Sequence, residues 1–260
     1  MDSSILLNIQ NQVAYIKFNR PNKFNSFNRE MAFALQKTLD DCIRNAEVRA
    51  IVLTGEGKAF CAGQDIQEIT DPEQHPGFKK ILDDHYNPII TRIRNIEKPV
   101  IAAVNGVAAG AGANIALACD IVVANEQASF IQAFSKIGLI PDSAGTFFLP
   151  RLIGFQRASA LAMLGDKVDA IEAERMGMIY KYYSAETYQD EVKTLAEKLA
   201  KMPTKALAYT KKALNKSFNN SLEEQLALES EYQILAANTQ DYEEGVSAFM
   251  EKREAKFKGR

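Results

Sequence analysis

From Val100 to Cys119 the chain runs for 20 residues without a charged side chain. No other stretch limits the fold as strongly, because it must either cross a membrane or be buried. About 20 apolar residues suffice to span a bilayer. Here, however, Asn105, Gly106, Gly110, Gly112 and Asn114 interrupt the run, Lys98-Pro99 precedes it and Asp120 closes it. Such breaks fit a buried strand, a tight turn and a buried helix, so no membrane span is expected. Arg49–Leu53 reads as a second short strand buried on both faces, the pattern of a parallel sheet covered by helices. With 260 residues, 47% hydrophobic and 25% charged, the chain can bury a substantial core without staples.

The rest of the pattern is α/β. Residues 5–18 alternate loosely and predict two short strands, ended by Arg20-Pro21-Asn22. Asn28 can cap a helix to about Ala46, with Met31, Leu35 and Leu39 on one stripe. Residues 66–97 read as helical apart from a polar loop around 71–77. Residues 112–119 predict a helix, Ile121–Ala124 a strand and Ser129–Phe130 the start of another. Phe147–Ile153 reads as an apolar connector or short helix. Helices are expected over 155–164, 170–177 and 186–201, with a strand over 178–182. Beyond Met202-Pro203 no strand signal remains. Ser221-Leu222-Glu223-Glu224 is a capping box, followed by an apolar stripe of Leu222, Leu226, Leu228, Tyr232 and Leu235. The expected division is an α/β body over 1–200 and a helical segment over 201–260.

Composition excludes several classes of function. Lys+Arg number 31 against Asp+Glu 33, a net charge of −2. That leaves no basic footprint for nucleic acid or an anionic membrane. Cys42, Cys61 and Cys119 are odd in number, far apart and not in CxxC spacing, which speaks against a disulfide framework and fits a reducing compartment. Only His75 and His85 are present, so no metal site is expected. The start, MDSSILLNIQNQ, has neither a basic region nor an apolar run. A cytoplasmic location is therefore expected.

Three stretches could carry chemistry. Ala59-Phe60-Cys61-Ala62-Gly63-Gln64-Asp65 follows a strand and leads into a helical region. Asn105-Gly106-Val107-Ala108-Ala109-Gly110-Ala111-Gly112-Ala113-Asn114 also lies between a strand and a helix. Small residues let another group approach the backbone, and a helix start offers free N–H groups. Two such turns facing each other would stabilise a developing negative oxygen; alternatively both are packing turns. Neither matches a phosphate loop or a dinucleotide fingerprint. In the third stretch, Asp142 has Ile137, Leu139, Ile140, Phe147 and Phe148 as apolar neighbours. Desolvation would weaken its acidity and suit it to proton transfer, unless it merely caps the helix that follows. Asp65 as a helix cap, Asp120 as a helix-end residue, His85 as a surface or satisfied residue and Cys61 without a nearby base rank lower.

In this order and spacing the pieces resemble the crotonase (enoyl-CoA hydratase/isomerase) superfamily over essentially the whole chain. Matching motifs are Asn19-Arg20-Pro21, Ala59 to Ile66, Lys98 to Gly106, Gly110-Ala111-Gly112 and Ala118-Cys119-Asp120-Ile121. Gly138 to Pro141, Gly145-Thr146, Gly245 to Phe249 and Lys252-Arg253 complete the set. The resemblance implies a spiral of ββα units with a C-terminal helical trimerisation segment, forming a homotrimer or dimer of trimers. It implies an acyl-CoA substrate whose thioester oxygen meets the backbone N–H groups of Gln64 and Ala111, although the family usually has glycine at the second place. Lys23, Phe24, Gly63, Asp65, Ile66 and Gln67 match positions that line coenzyme A. Phe249 and Lys252 match positions that reach a neighbour's coenzyme A. No cofactor is implied, because coenzyme A enters only with the substrate.

Departures from the family pattern point to the reaction. Hydratases carry one Glu where this chain has Asn114 and a second where it has Phe134. Asp142 coincides with the single acid of members that move double bonds or attack aromatic rings. The surrounding run is similar to ring-epoxide isomerases of bacterial phenylacetate degradation. The expected activity is therefore isomerisation of ring-1,2-epoxyphenylacetyl-CoA to the oxepin, with a cis-3 to trans-2 double-bond shift in enoyl-CoA. The alternatives are a hydratase, a dehalogenase in which the Asp is nucleophile, and an idle subunit in complex with a pathway hydratase.

Overall fold

Asn11 and Gln12 take positive φ angles of 50° and 65°. The tight turn they form joins β1 (Ile5–Gln10) to an antiparallel β2 (Val13–Phe18). This hairpin opens a computed structural model that describes residues 3–70 and 76–260. His75 and most of the loop expected around 71–77 lie outside the described residues.

Asn28 caps α1 (Arg29–Arg44) by accepting from the Met31 N–H, and Met31, Leu35, Leu39 and Cys42 turn inward. β3 (Ala50–Gly55) returns parallel to β2. The chain then leaves this sheet through β4 (Ala59–Cys61) and enters α2 (Ile66–Thr70). After the undescribed residues, α3 (Phe78–Lys80) continues through a π-helical turn at Ile81–Tyr86 into α4 (Asn87–Asn95).

The same sequence of moves repeats. β5 (Val100–Val104) pairs parallel with β3, β6 (Val107–Ala109) with β4, and α5 (Ala111–Leu117) follows. β7 (Ile121–Asn125) and β8 (Ser129–Ile131) add a third layer of the spiral. The uncharged run Val100–Cys119 is thus two strands and a helix at the centre of the molecule. A 3-10 turn at Ala133–Ile137 leads to α6 (Gly145–Ile153) and α7 (Phe155–Leu164), then β9 (Lys167–Asp169), α8 (Ala170–Arg175), β10 (Lys181–Tyr183) and α9 (Tyr188–Lys201). The six-stranded sheet has order β1-β2-β3-β5-β7-β10 and the four-stranded sheet β4-β6-β8-β9.

Sequence pattern misplaces a few of these. β4 and β6 were expected as parts of turns and β9 not at all, because three-residue strands carry no readable periodicity. The strand expected at 178–182 begins at Lys181 instead. Met178 and Ile179 are buried ahead of it, so their apolar character reflects packing in a turn.

One core lies inside the spiral, where Ile16, Phe18, Phe27, Leu35, Leu53, Phe60 and Ile115 meet. A second lies where α9 covers the other face of the large sheet, through Tyr188, Val192, Ala196, Val52, Ile101 and Val123. Three further helices follow: α10 (Thr204–Ser217), α11 (Leu222–Ala237) and α12 (Gln240–Glu251). They are tied to the body by polar contacts. Arg49 donates to Thr204 Oγ1, Met202 O and Phe257 O at 2.9, 2.6 and 2.8 Å. Buried Lys211 reaches Asp120 at 2.8 Å and Ile93 O at 2.7 Å. Asp120 also pairs with Arg94 and accepts from the Val100 N–H, so it locks α4, α5 and α10 together. The capping box at Ser221 and Glu224 forms as expected, yet no side chain of α11 is buried in the single chain.

Candidate active site

Two backbone turns meet where β4 and β6 end. Phe27 N–H donates to Gly63 O at 2.7 Å and Asp65 N–H donates to Phe27 O at 2.8 Å. In this extended pairing, alternate N–H groups face opposite sides. Gln64 N–H therefore faces away from Phe27, and it has no acceptor among the described residues. Ala111 begins α5, so its N–H has no intrahelical partner. An ideal Cβ at Gly63 would lie 3.5 Å from the Ala111 nitrogen, which sets the two turns side by side. At Gly112 any side chain would overlap Cys61, so that glycine permits the close contact between turn and helix. Gly63 donates its N–H to Cys61 Sγ at 3.3 Å.

The Gln64 side chain is held from both ends. Its Oε1 accepts from Tyr86 Oη at 2.8 Å and its Nε2 donates to Glu68 at 2.6 Å. Glu68 also accepts from the Arg29 N–H at 2.8 Å. Tyr86 sits in the π-helical turn, fully buried. Burial, and then the neighbouring Cys61, Asp142, Glu68 and Asp65, hold its hydroxyl well above the ordinary phenol range. Tyr86 and Glu68 carry no motif, and sequence reasoning missed both.

Asp142 lies within electrostatic reach of Tyr86. It is half-buried, and burial raises its carboxyl above the usual carboxylate range; a hydrogen bond from Ser143 Oγ at 2.8 Å opposes the shift. The turn behind it is unusual. Ser143 and Ala144 take φ of 50° and 61°, left-handed values that cost non-glycine residues energy and persist only where neighbours impose them. Asn114 Nδ2 and Gly145 N–H both donate to the Asp142 carbonyl at 2.8 Å. Buried Phe134 stands against Gly110 and makes an apolar wall.

Of the other expected positions, Lys23, Phe24, Ile66 and Gln67 form an exposed rim beside Gly63, with Lys23 Nζ on Gln67 Oε1 at 2.8 Å. Asp65 differs: its carboxylate is buried, ion-paired with Arg20 at 2.8 Å, and accepts from the Gln67 N–H. Its side chain therefore braces the rim and caps the turn into α2. Phe249 and Lys252 are on and just after α12, and none of their contacts reaches the Gln64–Asp142 cluster in the single chain. Burial pushes the Cys61 thiol up to about 12, so it is no nucleophile. His85 is buried against Phe33, not on the surface, and its Nε2 lacks a partner among the described residues. No group of three or more metal-ligating side chains occurs among the described residues. Nor is any described helix long and apolar enough to cross a membrane.

Two neighbouring N–H groups without acceptors among the described residues, with a half-buried carboxyl in reach of the same cluster, are the kind of groups that hold an oxyanion and move a proton. Known proteins carry this comparison further. The family described as Enoyl-CoA hydratase/isomerase matches residues 8–260. The 1,2-epoxyphenylacetyl-CoA isomerase of Escherichia coli K12 is 45% identical over 258 residues, covering 98% of each chain. The mitochondrial enoyl-CoA hydratase of Pongo abelii is 37% identical over 95% of this chain and 84% of its own length. The crystal structure of enoyl-CoA hydratase from Bacillus anthracis superposes with a TM-score of 0.91 at 32% identity, covering 99% of this chain and all of that one. Sequence and fold agree along almost the entire length, and the chain belongs to the enoyl-CoA hydratase/isomerase family, as an enzyme of it.

Proposed function

We propose that the protein is an acyl-CoA isomerase in which Asp142 is the one acid–base group. The observation that carries this reading is the chemistry of three positions. Asp142 is a half-buried carboxyl with raised affinity for a proton. Asn114 and Phe134, where the hydratase resemblance implies glutamates, are a buried amide and a buried ring. Holding and activating a water for syn addition needs two acid–base groups; moving a proton along a conjugated chain needs one.

In this mechanism the thioester oxygen lies between the N–H groups of Gln64 and Ala111. Asp142 removes a proton from C2, and the resulting enolate is stabilised by the two donors. The protonated Asp142 then returns the proton further along the conjugated system. Proton count is conserved, so no second group and no cofactor enters. The name of the 45% identical relative supports ring-1,2-epoxyphenylacetyl-CoA, converted to the oxepin, as substrate. A cis-3 to trans-2 shift in an enoyl-CoA uses the same enolate. Lys23, Phe24, Ile66 and Gln67 would line coenzyme A from one chain, and Phe249 and Lys252 from a neighbour in a cytoplasmic homotrimer or dimer of trimers.

The test is incubation of the purified protein with a cis-3-enoyl-CoA, crotonyl-CoA and a halobenzoyl-CoA, with products identified by mass spectrometry. Isomerisation without efficient hydration is expected. Efficient hydration or halide release would move the assignment to a hydratase or dehalogenase. No turnover, together with a stable complex with a hydratase, would make the chain a partner subunit.

A further inference from the structure

We infer that Asn114 is a positioning residue that aims Asp142 through a chain of buried amides, Gln132–Asn114–Asp142. The inference rests on the isomerase reading for its catalytic consequence, and on the hydrogen bonds alone for its structural one. Asn114 is 1% exposed on α5 and Gln132 is 4% exposed after β8. Gln132 Nε2 donates to Asn114 Oδ1 at 2.8 Å, and Asn114 Nδ2 donates to the Asp142 carbonyl at 2.8 Å. The direction of the chain is fixed, because a peptide carbonyl can only accept. Asn114 must turn its nitrogen to Asp142, which leaves its oxygen for Gln132.

Such a brace has work to perform. Asp142 is followed by two non-glycine residues in the left-handed region, a conformation that persists only where surrounding bonds impose it. The Asp142 carbonyl, at the root of that turn, receives two donors, Asn114 Nδ2 and Gly145 N–H. Gly145 is also what admits the first of them, since any side chain there would overlap the Asn114 carboxamide. Amide, glycine and strained turn thus form one interlocking unit with the carboxylate at its tip. A carboxylate at position 114 would have no N–H to donate and would repel the carbonyl. The amide thereby fixes the acid–base group while barring a second charged one.

Asn114→Ala tests this, with Asn114→Asp as the isosteric variant should the alanine form fail to fold. Two readouts separate the claims. In crystal structures of the variant and the parent, the 142–144 turn is expected to move and Ser143 and Ala144 to leave the left-handed region. In turnover of a cis-3-enoyl-CoA, kcat is expected to fall about 10²-fold, the size of effect a shift of about 1 Å in a reacting group produces. KM should stay within about twofold, a split that general loss of structure would not give. A turn that superposes on the parent, or an unchanged kcat in an active parent background, overturns the inference. Should the parent fail to shift the double bond, the isomerase reading falls, and the crystal comparison alone decides the brace.

Discussion

The buried hydroxyl of Tyr86 donates to the side-chain oxygen of Gln64 at 2.8 Å, 22 residues away along the chain. The backbone N–H of that same Gln64 is the proposed oxyanion donor. On that proposal one residue has a structural side chain and a functional main chain, and substitutions can separate the two. Gln64→Pro removes the N–H and should lower kcat by roughly 10²–10³. Gln64→Ala keeps the N–H but leaves the buried Tyr86 hydroxyl without its acceptor, at a cost of about 1–3 kcal/mol in stability. The double variant Gln64→Ala with Tyr86→Phe should recover part of that loss. Chemical denaturation and steady-state kinetics on the same preparations check both. Equal loss of kcat in the proline and alanine variants would transfer the role to the side chain.

Asp142→Asn is expected to abolish isomerisation while retaining the fold. It also makes a prediction about stability with a definite sign. Burial raises the folded-state pKa of Asp142 above the ordinary value of 3.8. Between those two values the folded protein binds more protons than the unfolded chain, so stability falls as pH rises through the window. The neutral asparagine escapes this loss. Urea midpoints should therefore favour Asp142→Asn at pH 8 and converge with the parent as pH approaches 3.8. In the parent, the acid limb of kcat/KM should lie above the ordinary carboxylate value. A variant equally stable at both ends would mean that the carboxyl is solvated.

Lys211 tests how the helical end is joined to the body. It is buried and bonded to Asp120 and to the Ile93 carbonyl. Lys211→Ala leaves Asp120 with Arg94 and the Val100 N–H, so the loss should fall near the low end of the 3–5 kcal/mol range, about 3 kcal/mol. KM should not change, because no contact of Lys211 reaches the active site. Thermal unfolding and kinetics decide it, and a loss under about 1 kcal/mol would mean that α10 is held by its other contacts, Arg49 on Thr204 and Arg94 with Asn215 among them.

The oligomer is expected to be a trimer or a dimer of trimers. Phe249 is 82% exposed and Ile140 81% exposed in the single chain, and Ile140, Phe155 and Met163 line an open groove of about 530 Å³. Large apolar side chains left this open in the single chain fit surface that a second copy would cover. Light scattering at micromolar concentration measures the mass directly, and a monomer rejects the expectation.

Much of this arrangement was legible in the sequence, for reasons that also explain what was not. Asn28, Ser221 and the Met31–Leu35–Leu39 stripe declare helices through local chemistry. Glycine-rich turns and an aspartate among apolar neighbours declare candidate chemistry in the same way. The strands of the small sheet have only three residues each, too few for a period. Tyr86, Glu68 and Gln132 act through hydrogen bonds to groups brought near by the spiral, and nothing in their own neighbourhoods announces it. The sequence offered Asp65 as a helix cap, which its bond from the Gln67 N–H agrees with, but its ion pair with Arg20, 45 residues away, is visible only in the fold.

Conversion to a hydratase would need two acid–base groups beside the oxyanion turns. On sequence alone, Asn114→Glu with Phe134→Glu restores the two-acid pattern beside oxyanion turns already in place, and weak hydration of crotonyl-CoA would follow. The structure argues for a different outcome. Asn114 is the donor to the Asp142 carbonyl and the acceptor from Gln132, and the space around it is closed by Gly145. A glutamate is longer, cannot donate when ionised, and would face the Asp142 carbonyl oxygen. Phe134→Glu removes a buried ring and places a second charge in an apolar wall, which is costly without a partner. The double variant is therefore expected to lose isomerisation and to gain no measurable hydration. Loss of enoyl-thioester absorbance with crotonyl-CoA, and double-bond migration with a cis-3-enoyl-CoA, read the two activities separately. A double variant that hydrates crotonyl-CoA and still isomerises would show that Asp142 is aimed without help from position 114.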